Sequence, residues 1–245
     1  MTAVHPCATT GELVSDIEAA AEPSASLAEL VALAEQLRDN PDLLLCRLRY
    51  LRSHPDRLDE TARRSYWHVN GFAKVKLVER GEYCVRLHVW PAGTSRAGDR
   101  EPHSHRWDFA SWVVVGAGLS ETYFTEIDSS AGDPTHVRYD YGRRHTGDGY
   151  LKCRKTVTGL RADRPQVRGR NTVYGCLHTA IHTVAPVGCG LVATVVFQGP
   201  QLAESTAVYR PHLDHSFPDL QRPIAPSDLG ALLREVEAVI TDSEL

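Results

Sequence analysis

The chain has 245 residues, of which 42% are hydrophobic, and its formal net charge is −4. A chain of this length can bury one sizeable hydrophobic core. Because it has a slight acidic excess and no basic run interleaved with aromatic residues, the sequence disfavours nucleic acid as a partner.

Patterns for membrane insertion and secretion are also not found in the sequence. No apolar stretch approaches the roughly 18 residues of a membrane-spanning helix, and the first residues, MTAVHPCATTGELVSD, lack the pattern of a signal peptide. The six cysteines are scattered without a CxxC motif, which argues against a zinc ribbon or a disulfide framework. We therefore expect a cytoplasmic protein, either a monomer or a homodimer, with no membrane partner.

Helices are predicted at the start of the chain. The first 24 residues are rich in Ala, Ser and Glu and are expected to be frayed. The segment 26–52, SLAELVALAEQLRDNPDLLLCRLRYLR, has a helical stripe of apolar residues, and Ser26 and Glu29 are spaced as in a capping box. Because Asn40 and Pro41 interrupt this stripe, we predict two consecutive helices.

From about residue 66 to residue 200 the sequence changes to short runs typical of strands. Turn formers separate eight predicted strands: AKVKLVER, YCVRLHVW, SWVVVGAG, ETYFTEI, HVRYDY, YLKCRKTV, TVYGCLHTAIHTV and LVATVVFQ. Many short strands with this spacing are typical of an antiparallel sandwich or barrel.

After residue 200 we expect an irregular segment rich in Pro, His and Asp, followed by a final helix, SDLGALLREVEAVI, that Ser227 would cap. The predicted organisation is one mainly β domain over 1–245. It has helical decoration over 1–60, a β-barrel over 66–200, and a C-terminal segment and helix over 201–245.

Two histidines in EPHSHRWDFASWVVVGAGLSET carry the first functional signal. Residues i and i+2 of an extended chain point to the same side, so His103 and His105 converge on one spot, as ligands of a metal ion do. His182 follows 77 residues after His105, far enough to return on a neighbouring strand. Three neutral imidazoles with open positions are typical of a catalytic metal site. The alternative is that these histidines form hydrogen bonds at the barrel surface.

Alternate residues from Tyr174 to His182 would share one face if VYGCLHTAIHTV is a regular strand. His178 would then face the cavity as a candidate acid or base, and Tyr174 would line the cavity or belong to the core. On YCVRLHVW, Arg86 is the candidate anchor for an acidic substrate group because its planar fork matches a carboxylate. The alternative is that Arg86 faces outward.

The sequence resembles the cupin superfamily at this point. PHSHRWDF and VVVGAGLSETYF look like the first cupin motif, and LHTAIHTVAP and VATVVFQGP look like the second. Within cupins, the sequence is most similar to the cysteine dioxygenase-like (thiol dioxygenase) group: helices precede the barrel, a Trp-Pro-Ala-Gly turn precedes the histidines, and a Gly-x-Gly-Leu-x-Glu-Thr run follows them. The resemblance covers roughly residues 26–200 and is specific only around the two motifs.

The resemblance implies a double-stranded β-helix barrel, jelly-roll-like, that holds iron(II) through His103, His105 and His182. His182 is preferred over His178 because the family's ligand precedes a turn. Mn, Ni or Zn would also suit this ligand set. The glutamate that many cupins place shortly after the second histidine is absent, and Asp108 is interpreted as a residue of the loop or of the surroundings of the ligands.

Departures from the thiol dioxygenases put the thiol substrate in doubt. Their Cys–Tyr cross-link has no equivalent, since Phe197 stands where a tyrosine is expected, and their carboxylate-binding arginine is not matched in SYWHVNGF. An arginine-rich segment, 128–170, separates the two motifs, and the sequence does not assign it a role.

The predicted function is therefore that of a non-haem Fe(II) oxygenase, a dioxygenase-like enzyme that acts on a small acidic or amino-acid-like metabolite with O2. Two alternatives remain open. One is a redox-silent metal-dependent isomerase or lyase in which His178 moves protons. The other is a cupin that binds a small ligand without catalysis.

Overall fold

The computed structural model describes residues 26–68, 70–81, 83–93, 99–127, 136–143, 150–211 and 221–242. The first 24 residues, which were expected to be frayed, and part of the arginine-rich segment lie outside these ranges. Within them the chain forms four helices: α1 (Leu27–Asp39), α2 (Pro41–Ser53), α3 (Pro55–Arg64) and α4 (Pro226–Thr241).

The helix boundaries follow local signals in the sequence. The capping box of α1 is present, with the Ser26 side chain accepting from the backbone of Glu29 and the Glu29 carboxylate accepting from the backbone of Ser26. A proline also begins α2, as predicted. Helix α3 was not predicted, and the predicted cap of α4 is wrong, because Ala225 precedes Pro226 at its start and caps without a side-chain hydrogen bond.

Fourteen strands are described in these ranges. They are β1 (Tyr66–Trp67), β2 (Ala73–Arg80), β3 (Tyr83–Trp90), β4 (Asp99–His103), β5 (Phe109–Val115), β6 (Leu119–Ile127), β7 (His136–Arg143), β8 (Tyr150–Ala162), β9 (Gln166–Arg168), β10 (Val173–Cys176), β11 (Ile181–Pro186), β12 (Val192–Gln198), β13 (Ser205–Pro211) and β14 (Arg222–Pro223).

The strands form two seven-stranded antiparallel sheets. The first has the order β10-β5-β12-β3-β2-β1-β14, and the second has the order β11-β4-β13-β7-β8-β6-β9. An additional pairing of β11 with β6 closes the second sheet into a ring. The prediction of a mainly β architecture with helices at both ends is confirmed, and the two sheets form a sandwich consistent with a cupin barrel.

Two features of the predicted strands are corrected by the structure. The long strand predicted over TVYGCLHTAIHTV is two strands, because β10 ends at Cys176 and a turn precedes β11 at Ile181. The segment after residue 200, expected to be irregular, contains β13, which pairs with β4 and β7.

The helices cover the outer face of the first sheet. Helix α1 packs on β5, β10 and β12, and α4 packs on α2 and α3. Leu30 and Leu37 of α1 lie in one apolar cluster with Trp112 and Val195 of this sheet, so burial of this face stabilises the fold through the hydrophobic effect. The inner face of the sheet is left to face the second sheet, and a cavity lies between them.

The structure also bears on membrane insertion and on the cysteines. Among the described helices, none has the length and apolar character needed to cross a membrane. The cysteine spacing argued against a disulfide framework, but Cys46 is disulfide-bonded. Cys84, Cys176 and Cys189 are free thiols.

Candidate metal centre

Strand pairing brings the three predicted histidines together. His103, the last residue of β4, lies directly opposite His182 of β11, and side chains of directly opposed residues share a face of the sheet. His105 follows two residues after His103, and its ring centroid is 4.9 Å from that of His103 and 5.1 Å from that of His182. The ligating nitrogens of the three residues all lie within 4.8 Å of one another.

Hydrogen bonds donated by Nδ1 orient two of the three rings. Nδ1 of His103 lies 2.9 Å from the carbonyl oxygen of Glu101, and Nδ1 of His182 lies 2.8 Å from Oε1 of Glu121. Both rings are therefore left with Nε2 for a metal. Nε2 of His105 lies 2.9 Å from Nε2 of His182. A hydrogen bond from the second ring nitrogen to a carbonyl or carboxylate is the usual support of a metal-binding histidine.

Glu121 is a fully buried carboxylate with two partners. Its Oε1 accepts from His182, and its Oε2 accepts from Nε of Arg168 at 3.0 Å. Burial acts to raise the pKa of Glu121, but the hydrogen bonds and charges of His182 and Arg168 outweigh it and lower this pKa. The carboxylate is thus held in its charged form, which accepts from His182 and does not compete as a donor.

The electrostatics of His105 also suit a metal ligand. Burial, reinforced by the neighbouring His103 and His182, holds the pKa of His105 well below its usual value. A neutral imidazole with a free lone pair is the form that binds a metal ion. The donor set, three imidazole nitrogens of which two belong to rings oriented through Nδ1, therefore fits a divalent transition metal.

A second group of possible ligands shares His182. Glu121, Cys176 and His182 also place ligating atoms within 4.8 Å of one another. In this group Glu121 and Nδ1 of His182 already bond to each other. Burial raises the pKa of the Cys176 thiol to about 12, which disfavours the thiolate that a metal needs. The three-histidine cluster is the better metal site.

A cavity of about 540 Å³ opens beside the cluster. Its lining includes His103 at the end of β4 and His105 and Trp107 in the loop after β4, together with Arg86 of β3 and Gln198 of β12. Arg86 thus faces inward, and its guanidinium carbon lies 5.3 Å from the centre of the Trp107 ring. The volume is typical of a pocket for a small organic ligand.

The structure separates His178 from the cavity. The prediction that His178 shares a face with His182 is wrong, because the turn formed by residues 177–180 interrupts the strand. Instead, Oδ1 of Asp108 accepts hydrogen bonds from the backbone N–H and from Nδ1 of His178, both at 2.7 Å. His178 is not among the residues that line the cavity. Asp108 therefore fixes the turn, and it is not part of the histidine cluster.

Tyr174 belongs to an apolar cluster beside the histidines. It packs with Phe109 and Val196, and the guanidinium carbon of Arg168 lies 5.0 Å from the centre of its ring. Burial raises the pKa of its hydroxyl, which keeps the phenol protonated and disfavours a role as an acid or a base. It does not line the cavity, so its position is that of a core residue.

The sequence interpretation did not assign roles to Glu121 or Arg168. A signal for Glu121 was present: on an extended strand it shares a face with Leu119 and Tyr123, and a carboxylate on an inward face needs a buried partner. No comparable local signal exists for Arg168, because its proximity to Glu121 depends on the pairing of β6 with β9.

Comparisons with known proteins found similar solved structures but no matching family or curated protein. No family model and no curated protein matches the sequence. Among solved structures, the chain is similar to hydroquinone 1,2-dioxygenase from Sphingomonas sp. TTNP3, with a TM-score of 0.31 and 15% identity over 54% of this chain and 66% of that chain. It is also similar to a cupin domain from Bordetella pertussis Tohama I, with a TM-score of 0.29 and 12% identity over 52% of this chain and 92% of that chain.

A third similar structure is a sugar phosphate isomerase from a cupin superfamily, from Silicibacter pomeroyi DSS-3, with a TM-score of 0.29 and 12% identity over 54% of this chain and 62% of that chain. These structural neighbours include cupin proteins, and the cysteine dioxygenase-like subgroup is not confirmed. With TM-scores near 0.3, they carry no argument about the chemistry of this chain.

Proposed function

We propose that this chain is a metal-dependent enzyme whose metal is held by His103, His105 and His182, and that it is a non-haem Fe(II) oxygenase for a small acidic metabolite. The observation that carries the proposal is the convergence of three ring nitrogens beside a cavity of about 540 Å³. Two of these rings are oriented through Nδ1 by Glu101 and Glu121.

Three imidazole ligands favour a catalytic metal over a purely structural one, and we propose that this metal is iron(II). A structural zinc site has four protein ligands, whereas a site with three leaves positions for other molecules. When bound, iron(II) would supply the redox chemistry that allows an organic substrate to react with O2. The chain contributes the binding, orientation and shielding of the reactants.

The described residues support these tasks. Arg86 faces the cavity and can hold an acidic group of the substrate through its planar guanidinium. Trp107 lies beside His105, with ring centroids 6.1 Å apart, and forms part of the cavity wall. Phe109 closes the other side, since its ring centroid is 5.0 Å from that of His105. The two aromatic rings therefore flank His105.

The redox-silent alternative loses its principal support. The hypothesis of an isomerase or lyase required His178 as a proton carrier in the cavity. Nδ1 of His178 instead bonds to Asp108, in a turn that does not line the cavity. We therefore retain the oxygenase as the proposal.

The experiment that tests this function is anaerobic reconstitution of the full chain with Fe(II), followed by addition of nitric oxide as a stand-in for O2. We expect one iron per chain and the high-spin EPR signal of a non-haem iron nitrosyl complex, because the histidines leave positions open. Reconstitution with Zn(II) is the control and gives no such signal. Iron that binds stoichiometrically without a nitrosyl signal would contradict an oxygenase, and preferential retention of Zn(II) would favour the redox-silent class.

A further inference from the structure

The cavity beside the histidines carries an excess of positive charge. Among the described residues, its lining contains five basic side chains (Lys74, Lys76, Arg86, Arg106 and Arg210) and two acidic ones (Glu79 and Glu101), a formal excess of three positive charges with histidine neutral. Both acids already form ion pairs, Glu79 with Lys76 at 2.5 Å and Glu101 with Arg210 at 2.8 Å. A cavity with this balance favours a ligand with more than one negative charge.

Strand register places three of the cations on one inner surface. Lys76 of β2 lies directly opposite Arg86 of β3, and Lys74 lies opposite His88. Residues directly opposite each other share a face, and Lys74 and Lys76 are two residues apart on the same strand. We call Lys74, Lys76 and Arg86 the basic shelf. Lys74 lies two residues, about 7 Å, along β2 from the position opposite Arg86, so the basic shelf extends along the strands beyond the Lys76–Arg86 pair.

The Arg86 end of the basic shelf lies beside the histidine cluster. The guanidinium carbons of Arg86 and Arg106 lie 5.3 and 5.2 Å from the centre of the same Trp107 ring. Stacking on an aromatic ring limits the orientations of a guanidinium. Because Trp107 adjoins His105, a group bound by Arg86 would be held next to the candidate metal ligands.

Gln198 supplies an uncharged polar group at the same place. Arg86 lies opposite Val196 of β12, so Gln198 shares its face two residues further along, a diagonal separation of about 7–8 Å between the two backbones. Within the described part of the chain, Nε of Arg86 and Oε1 of Gln198 are both enclosed without a hydrogen-bond partner. Enclosed polar atoms without partners are costly, and a ligand that pairs with them removes this cost.

We propose that the cavity binds a small acid with two separate anionic groups, one held by Arg86 and Gln198 beside the histidines and the other held by Lys74 of the basic shelf. The proposal rests on the proposed function, because it names the substrate class of the same cavity. It excludes a simple monocarboxylic acid as the preferred ligand. It also disfavours a single phosphate group, since Lys74 lies two residues along β2 from the position opposite Arg86.

The test measures binding of matched probes to the purified full chain by isothermal titration calorimetry, before and after treatment with a chelator. Butyrate and succinate have the same chain length and differ by one carboxylate, and methyl phosphate carries its charge on one group. We expect succinate to bind about 10-fold more tightly than butyrate, the effect of one charge-assisted hydrogen bond, and more tightly than methyl phosphate.

Substitutions test which residue binds each of the two anionic groups. Arg86→Gln should weaken both carboxylic acids by about 10-fold, because both present the group that Arg86 holds. Lys74→Met should leave butyrate unchanged and lower the preference for succinate. Arg161→Gln removes the same charge from an exposed position on β8 and should leave both affinities unchanged.

Equal affinities for butyrate and succinate would overturn the proposal, and so would tighter binding of methyl phosphate or an Arg86→Gln variant that binds like the wild type. None of these results depends on a bound metal, because the probes are also measured after chelation. If succinate is not preferred, the reconstitution with Fe(II) still tests the proposed function. If the chain binds no metal, its selectivity for succinate can still be measured.

Discussion

Glu121 and His182 form a fully enclosed carboxylate–imidazole pair, with Oε1 2.8 Å from Nδ1 and the two side chains 0% and 3% exposed. The pair links two strands of the second sheet, because β6 carries the carboxylate and β11 carries the imidazole. Since Nδ1 is occupied, His182 presents Nε2 to the other two histidines. Arg168 bonds to the remaining oxygen of Glu121. The position of His182 therefore depends on Glu121 and, through Glu121, on Arg168.

This arrangement predicts that Glu121→Gln lowers metal affinity by about 10- to 100-fold, the usual effect of losing the support of a metal-binding histidine. The glutamine side chain has one acceptor oxygen, so it can accept from His182 or from Arg168 but not from both. The measurement is a competition titration of the metal against a chelator of known affinity. Glu126→Gln on the same strand is the control, because Glu126 bonds to Arg138 and Tyr209 away from the histidines. Equal affinities of the two variants would contradict the positioning role.

A backbone contact should couple the turn before β6 to this site. Gly118 has φ of +124°, and a Cβ added there would overlap the carbonyl oxygen of Arg168. Gly118→Ala therefore forces Arg168 to shift. We expect a loss of stability of about 1–3 kcal/mol from backbone strain, together with weaker metal binding.

The control for this variant is Gly188→Ala, which also has a positive φ but has open space around the added methyl group. Thermal unfolding and metal titration of both variants separate the cost of the backbone conformation from the effect of the overlap. If Gly188→Ala weakens metal binding as much as Gly118→Ala does, the shift of Arg168 is not the cause.

Asp108 and His178 are expected to act on the loop and not on the metal. Asp108→Ala removes the acceptor of two hydrogen bonds from His178, so the turn at residues 177–180 should loosen while metal content stays at the wild-type level. Hydrogen exchange at the His178 amide should become faster. Loss of metal from this variant, with the fold retained, would instead make Asp108 a ligand.

The parts of the fold that could be predicted are those determined by local pattern. Strands β2 and β3 have the predicted bounds, Ala73–Arg80 and Tyr83–Trp90, because their alternating apolar residues face a buried layer. The helix boundary at Asn40 and Pro41 was also predictable from the restrictions that proline imposes.

The parts that could not be predicted depend on contacts distant in sequence. The alternation of Cys176, His178 and His182 looks like one strand, but a hydrogen bond from the Ala180 amide to the Leu177 carbonyl closes a turn in its middle. The grouping of His103, His105 and His182 was expected from spacing and resemblance. The link from His182 through Glu121 to Arg168 required the pairing of three strands, which no local pattern indicates.

The most direct test of the account is the metal content of single histidine variants of the full chain after anaerobic reconstitution with Fe(II) and gel filtration. We predict one ion per chain in the wild type and a loss of stoichiometric metal in His103→Ala, His105→Ala and His182→Ala, with the circular dichroism spectrum unchanged. His54→Ala, at the junction of α2 and α3, is the control and should retain its metal. A His182→Ala variant that keeps a full equivalent of metal would contradict the three-histidine centre.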